Sequence, residues 1–207
     1  MRDRPHLLLF PASLRRQSHQ RRLIEHFVSV IGGACHTDVL APEAVDLPLF
    51  NQDLEADPTV IGQVMALHER WRRADGFIVS SPEYNGHAPP FLKNTVDWIS
   101  RLARIDARYA AVNPFGGKPL LLASASTGWT GGILGLRDAR TIFAYLGCLV
   151  SAEEICVASA DHWAAEGRFR FEPAFAAYIE GTLTTFRNQV ARLAGLAVAE
   201  AESQVHA

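Results

Sequence analysis

The sequence lacks the short motifs that mark several common catalytic sites. It contains no C-x-x-C pair, no H-E-x-x-H zinc motif and no G-x-S-x-G nucleophile turn. Its scattered histidines and aspartates show no metal-ligand spacing. The sequence therefore predicts neither a metal centre nor an activated nucleophile, and any chemistry would come from a cofactor that carries its own.

Excess charge, cysteine and long apolar runs are also scarce. The formal net charge of −2 gives no overall attraction to nucleic acid or an anionic membrane. Three cysteines without a regular spacing are typical of reduced thiols in a cytoplasmic protein. No window approaches ~20 uninterrupted apolar residues, which argues against a membrane-spanning helix. Residues 1–11 superficially resemble a secretory signal, but Pro11 closes the short apolar run early, so we predict a strand there.

What is present is an alternation of strand-like and helix-like segments, which predicts an α/β fold. The predicted strands are residues 6–10, 36–40, 76–80, 118–124 and 149–157. The predicted helices are residues 18–31, 59–74, 90–103, 133–146 and 172–196. Right-handed crossovers then give a doubly wound, five-stranded parallel sheet of order 2-1-3-4-5 with helices on both faces. We expect one domain of 207 residues with its core over residues 6–196, a loop or lid at 159–170 and a frayed tail at 197–207.

The most informative segment is residues 81–98, with the sequence S-P-E-Y-N-G-H-A-P-P-F-L-K-N-T-V-D-W. It follows a predicted buried strand, so its first part lies at the carboxyl end of the sheet, where open α/β folds bind ligands. The loop is suited to binding a planar ring with polar edges through five residues: Pro82, Glu83, Tyr84, Asn85 and Gly86. The alternative is a rigid turn that caps the next helix, with Tyr84 packed on the surface.

Residues 11–22 form a second candidate loop, between the first strand and the first helix. The N–H groups and the dipole at a helix N-terminus favour an anion, Ser13 and Ser18 add hydroxyls, and Arg15 adds charge. Because the loop lacks both G-x-G-x-x-G and G-x-x-x-x-G-K, it suits a single terminal phosphate. The alternative is that Ser18 only caps the helix and the arginines are solvated.

A third loop, residues 126–132, reads S-T-G-W-T-G-G and again joins a strand to a helix. Its glycines let the backbone pass close to a flat group, and Ser126 offers a hydroxyl. By itself it is equally compatible with a flexible turn. Three such loops at one edge of a sheet predict a shared binding site.

Other residues near the second loop have simpler interpretations. His87 is either solvated or close to a bound ligand. Arg101 lies four residues after Asp97 and is expected to form an ion pair with it, a pocket role being the alternative. Trp98 is expected in the core or at a subunit contact rather than stacked on a cofactor.

The three loops together resemble the NAD(P)H-dependent FMN reductase family, the flavodoxin-like group that includes chromate, quinone and azo-dye reductases. Residues 12–20 are similar to G-S-x-R-x-x-S-x-N, and residues 82–98 to P-E-Y-N-x-S-x-P-G-x-L-K-N-x-x-D-W. Residues 126–132 are similar to S-x-G-x-x-G-G, and the resemblance covers about residues 7–157. Four positions depart from these motifs and leave the phosphate loop and the substrate edge open in detail: Ala12, Gln20, His87 and Pro90.

The resemblance implies a flavodoxin-like fold, non-covalently bound FMN, and NADPH or NADH as co-substrate. It implies that the FMN phosphate is held by Ser13, Arg15, Ser18, His19 and Gln20. It implies that the ring is lined by Pro82, Glu83, Tyr84, Asn85, Gly86, Ser126 and Gly128. A homodimer or homotetramer is also implied, with subunit contacts near the site and no catalytic side chain.

The expected reaction passes hydride from the reduced nicotinamide to flavin N5 and then electrons to a quinone, azo compound, metal oxyanion or free flavin. One alternative is a flavodoxin-type FMN electron carrier, although the near-neutral charge argues against its acidic docking face. A signalling receiver domain would need acidic residues where Ala12 and Ser13 stand. A flavin-free interaction protein is a further alternative.

Overall fold

A five-stranded parallel sheet organises the computed structural model, which describes residues 3–196. The strand order β2-β1-β3-β4-β5 confirms the prediction. The strands are β1 (His6–Pro11), β2 (His36–Val39), β3 (Gly76–Ser80), β4 (Pro119–Ala125) and β5 (Leu149–Val157). The main helices are α1 (His19–Ile31), α2 (Pro58–Arg73), α3 (Pro90–Ile105) and α4 (Ile133–Tyr145). A short α5 (Ala160–Trp163) and the long α6 (Pro173–Leu193) complete the described part, and the predicted tail at 197–207 lies outside it.

The three central strands are apolar throughout because both faces of the sheet are covered. Leu8 and Phe77 face the core that α2, α3 and α4 close. Leu7, Leu9 and Ile78 face the core that α1 and α6 close on the other side. Since neighbouring strands are parallel and in register, their carboxyl ends meet at one edge of the sheet.

Trp71 of α2 is the centre of the first core. Its indole is fully buried, with its centroid 4.7 Å from the Phe77 ring and 5.1 Å from the Phe115 ring. Phe10 and Phe143 complete the contacts of the indole at 6.2 and 6.0 Å. Most ring planes are strongly tilted to the indole, which is the arrangement aromatic quadrupoles favour.

The segment predicted as a loop or lid at 159–170 contains defined structure. After α5, strands β6 (Ala164–Ala165) and β7 (Arg168–Phe169) form an antiparallel hairpin. Glu166 and Gly167 have positive φ of 51° and 79°, as a two-residue hairpin turn requires. Two-residue strands are too short to show a sequence period, and this hairpin is positioned by its contacts with α1.

The expected ion pair between Asp97 and Arg101 is wrong. Arg101 Nε lies 2.6 Å from Glu55 Oε1, and Asp97 instead accepts from Lys93 Nζ at 2.7 Å. Glu55 belongs to a 3₁₀ turn brought against α3 by the fold, so a local spacing rule could not identify it. Trp98 is buried in the core, which was one of its two predicted locations. Its Nε1 donates to Pro48 O. Within residues 3–196 no helix has the length and apolarity needed to cross a membrane.

All three cysteines are free thiols, with Cys35 and Cys148 buried and Cys156 half-buried. Burial raises the pKa of Cys35 to about 11, of Cys148 to about 12 and of Cys156 to about 11. Because the thiolate is the reactive form, these side chains are inert at neutral pH.

We therefore expect the folded protein at pH 8 to react very slowly with a disulfide reagent such as Ellman's reagent. Addition of guanidinium chloride should release all three thiols at once, because unfolding restores an ordinary thiol pKa. Absorbance of the released thiolate gives the count. Rapid reaction of even one thiol in the folded protein would contradict the burial described here.

Candidate functional site

Three loops leave the carboxyl edge of the sheet side by side: loop 1 (residues 12–18), loop 2 (residues 81–89) and loop 3 (residues 126–132). Their order is set by backbone hydrogen bonds that continue the sheet. Ala12 N donates to Ser80 O at 2.8 Å, and Ser81 N donates to Ala123 O at 2.8 Å. The expected convergence of the loops is therefore a feature of the structure.

Loop 1 presents unused hydrogen-bond donors. The amides of residues 14–17 donate to no other residue in the described part of the chain, and the Ser13 hydroxyl, although 4% exposed, has no partner there either. Ser18 Oγ accepts from Arg21 N at 3.2 Å and so caps α1, which leaves its O–H available. With exposed Arg15 alongside, this loop can hold an anion at the helix N-terminus.

Gln20 is buried, and its side chain ties α1 to two strands. Nε2 donates to Ala125 O at 2.7 Å, while Oε1 accepts from Ser80 Oγ at 2.7 Å and from Ala125 N at 3.2 Å. The amide side chain therefore joins the ends of β3 and β4 directly beneath the loops. Only the backbone N–H of Gln20 remains for an anion.

His19 is held between loop 1 and the segment after β5. Its Nε2 lies 3.1 Å from Asp161 Oδ1, and its buried Nδ1 has no partner among residues 3–196. Burial lowers the pKa of His19 despite the opposing effect of Asp161, so the ring is mostly neutral at pH 7. The sequence analysis did not identify Asp161, because nothing local marks it as a neighbour of α1.

Loop 2 turns back on itself in a tight, two-residue turn. Tyr84 N donates to His87 O at 3.0 Å and His87 N to Tyr84 O at 3.1 Å. Asn85 and Gly86 have φ of 53° and 79°, the conformation for which Asn-Gly is the preferred pair. Behind the turn, Pro82 is buried, and the Tyr84 side chain is 51% exposed at the rim. The amides of Asn85 and Gly86 donate to no residue of the described chain.

The side chain of Glu83 attaches loop 2 to α4. Its Oε2 accepts from Leu134 N at 3.0 Å and from Gly135 N at 3.1 Å, at the positive end of the helix dipole. Asp138, one turn further, accepts from Ala88 N at 3.0 Å. His87 is largely exposed, with Nδ1 3.5 Å from Asp138 Oδ2. The carboxylates thus have structural partners, and the backbone is what loop 2 presents.

Two of the three glycines of loop 3 are required by the fold, and the third is not. Gly131 and Gly132 have positive φ, and a Cβ at Gly132 would collide with Ser124 Oγ, so the fold itself needs both. Gly128 has an ordinary backbone, and a Cβ there would meet only Ser126 Oγ at 3.5 Å. Ser126 Oγ accepts from Gly128 N at 3.1 Å. The fold therefore does not demand glycine at 128, and the space beside it is open to a ligand.

The geometry agrees with comparisons to known proteins. Residues 5–162 match the family described as NADPH-dependent FMN reductase. A quinone reductase of Escherichia coli K12 is 30% identical over 150 residues, covering 72% of this chain and 75% of that protein. A 2-hydroxy-1,4-benzoquinone reductase of Burkholderia sp is 31% identical over 134 residues, covering 65% of this chain and 67% of that protein.

Solved structures show the same fold. The NAD(P)H:(acceptor) oxidoreductase FerB of Paracoccus denitrificans is 25% identical, with a TM-score of 0.76 over 91% of this chain and 98% of that chain. The chain belongs to the NADPH-dependent FMN reductase family. The flavodoxin-like fold, the enzyme class and FMN as the family's cofactor, each predicted from the sequence, are confirmed at that level. The roles of individual site residues stay predictions.

Replacing Gln20 by Leu should lower the free energy of unfolding by about 2–4 kcal/mol, because buried polar groups at Ser80 and Ala125 lose their partners. Urea unfolding followed by circular dichroism measures the loss. Gln17→Ala is the control, since Gln17 is an exposed glutamine three residues earlier, in loop 1. Equal stability of the two variants would show that the Gln20 hydrogen bonds do not hold the edge together.

Proposed function

We propose that this protein is an FMN-containing NAD(P)H:quinone oxidoreductase whose site is the carboxyl edge formed by the three loops. The single observation that carries the proposal is the concentration of unused backbone donors at this edge, on loop 1 and on loop 2. The family supplies the chemical class, and the relatives named as quinone reductases supply the class of acceptor.

The donors of loop 1 fit the terminal phosphate of FMN. Ser13, Arg15 and Ser18, with the amides through His19 and Gln20, would surround it at the positive end of α1. A single phosphate is the best match because the loop has no glycine that would let the backbone approach a second one. His19 contributes mainly as a neutral group whose ring is fixed against Asp161.

Loops 2 and 3 fit the flavin ring. Pro82, Glu83, Tyr84, Asn85 and Gly86 would line one side through their backbone, and Ser126 and Gly128 would close the other. Glu83 and Asp138 anchor loop 2 to α4, the helix that follows loop 3. Rigid backbone donors orient a ring and polarise it without an acid or base side chain.

FMN held at this edge would supply the redox chemistry, taking two electrons from a reduced nicotinamide and passing them to the acceptor. The chain binds and orients the two molecules in turn. Because Tyr84 of loop 2 and Trp129 of loop 3 are exposed, the site would admit small planar acceptors such as quinones. We also propose a homodimer or homotetramer that works in the cytoplasm, where reduced nicotinamides and free thiols such as these three cysteines persist.

Replacing Arg15 by Ala should weaken FMN binding by about 1–3 kcal/mol, because one charge-assisted hydrogen bond to the phosphate is lost. Quenching of flavin fluorescence on titration into flavin-free protein measures the affinity. Arg104→Ala is the matched control, since Arg104 is exposed in the last turn of α3. If the two variants bind FMN equally, Arg15 does not belong to the phosphate site.

The proposed function itself is tested on the purified wild-type protein. We expect a yellow protein, or one that becomes yellow with FMN, that oxidises NADPH steadily only when a quinone such as 1,4-benzoquinone is present. Ping-pong kinetics should follow, because donor and acceptor use the same site. A protein that binds FMN but oxidises no reduced nicotinamide would instead be an electron carrier. A protein that does not bind FMN would contradict both the enzyme and the carrier hypotheses.

A further inference from the structure

The short segment that follows β5 is held against loop 3. Ser159 N donates to Gly128 O at 3.1 Å, and Ala160 N donates to Ser126 O at 2.9 Å. Ser159 has a φ of 49°, a conformation that residues other than glycine seldom adopt and that persists where neighbouring contacts fix it. These two bonds fix the start of α5, whose second residue is Asp161.

The side chain of Asp161 reaches from this segment to the beginning of α1. Its Oδ1 lies 3.1 Å from Nε2 of His19, the first residue of that helix. Because a carboxylate only accepts hydrogen bonds, the single proton of the neutral ring lies on Nε2. Burial lowers the pKa of His19, so this neutral form predominates at pH 7. One hydrogen bond therefore connects the segment held by loop 3 to the end of loop 1.

The ring of His19 depends on Asp161 for its orientation. The side chain of His19 is 8% exposed, and its Nδ1 is buried without a partner among residues 3–196. Phe169 of the β6–β7 hairpin stacks on the ring, with centroids 6.0 Å apart and planes inclined by 27°. Stacking limits the tilt of a ring, whereas a hydrogen bond decides where each nitrogen points. Without Asp161 a buried imidazole would have no polar partner, which favours turning the ring toward water.

The carboxylate of Asp161 lies where electrostatics alone would disfavour it. Asp161 and His19 line a cavity of about 460 Å³ beside loop 1, together with Arg15 and Arg22. A phosphate bound by loop 1 would be repelled by a carboxylate of the same cavity. The side chain of Asp161 is 76% exposed, so as a simple ion pair it would also contribute little to stability. Its place is better explained by its effect on His19.

We propose that Asp161 is a positioning residue for the phosphate of FMN, which it orders by fixing His19. The inference rests on the proposed function, in which the backbone N–H of His19 is one of the donors at the N-terminus of α1. A helix N-terminus binds an anion best when its N–H groups are already held in one direction. Fixing the ring restrains the backbone that carries it, and Asp161 does so from the segment that is also bonded to loop 3.

The test compares FMN with riboflavin, which carries the same ring without the phosphate. In Asp161→Ala we expect FMN affinity to fall about 5- to 20-fold and riboflavin affinity to change by less than about twofold, because only the phosphate end loses its positioning. Asp161→Asn, whose amide oxygen can still accept from Nε2, should lie between that variant and the wild type. Quenching of flavin fluorescence on titration into flavin-free protein measures both affinities.

Glu25→Gln is the matched control. Glu25 is exposed on α1 and has no ion pair within residues 3–196, so this substitution removes a nearby negative charge and leaves the partner of His19 in place. If charge alone mattered, both Glu25→Gln and Asp161→Ala would strengthen FMN binding. A positioning role predicts weaker binding in Asp161→Ala and no weakening in the control, so the sign of the change separates the two explanations.

NMR spectroscopy gives the second measurement. Long-range proton–nitrogen spectra should show His19 protonated on Nε2 in the wild type and the control, and a mixture of both tautomers in Asp161→Ala. Unchanged or tighter FMN binding by Asp161→Ala would overturn the inference, as would an equal loss of FMN and riboflavin affinity. In either case FMN binding and NADPH oxidation by the wild type would leave the proposed function standing.

Discussion

The binding edge depends on a few buried hydrogen bonds that hold the ends of parallel strands together. Parallel strands bring three loops to one side, and side-chain hydrogen bonds constrain their spacing further than the backbone bonds of the sheet do. Gln20 supplies that constraint through its contacts with Ser80 and Ala125. Glu83 repeats the principle one loop further by joining loop 2 to α4. Because the Gln20 bonds are buried, breaking one leaves a buried polar group unpaired, which is costly.

At this edge the polar side chains hold the protein together, and the backbone supplies the free hydrogen-bond donors. The carboxylates of Glu83 and Asp138 and the amide of Gln20 are used within the protein. The free donors are backbone N–H groups on loops 1 and 2. A site made of backbone donors holds a cofactor by its shape and polar edges and places few demands on the second substrate. Such a site is consistent with the flavin-dependent family to which the chain belongs.

The arginines near the three loops differ in whether they have an acidic partner. Arg21 is paired with Glu43 and contributes little beyond the surface, whereas Arg15, Arg16 and Arg22 form no ion pair within residues 3–196. Arg15 and Arg16 belong to loop 1, the loop proposed for the FMN phosphate. The β6–β7 hairpin adds Arg168 to the surface beside α1 and packs Phe169 against His19.

The sequence by itself determined the order of elements, the sheet topology and the three loops, because apolar periodicity and turn residues act locally. The strands at Gly76–Ser80 and Leu149–Val157 agree with their predicted bounds, and Asn85-Gly86 forms the tight turn that its composition favours. Only the tertiary structure decided which polar groups meet. It paired Arg101 with Glu55, placed Asp161 beside His19 and required Gly132 for packing against Ser124. Those contacts join residues far apart in the chain, and their distances follow from how the helices pack on the sheet.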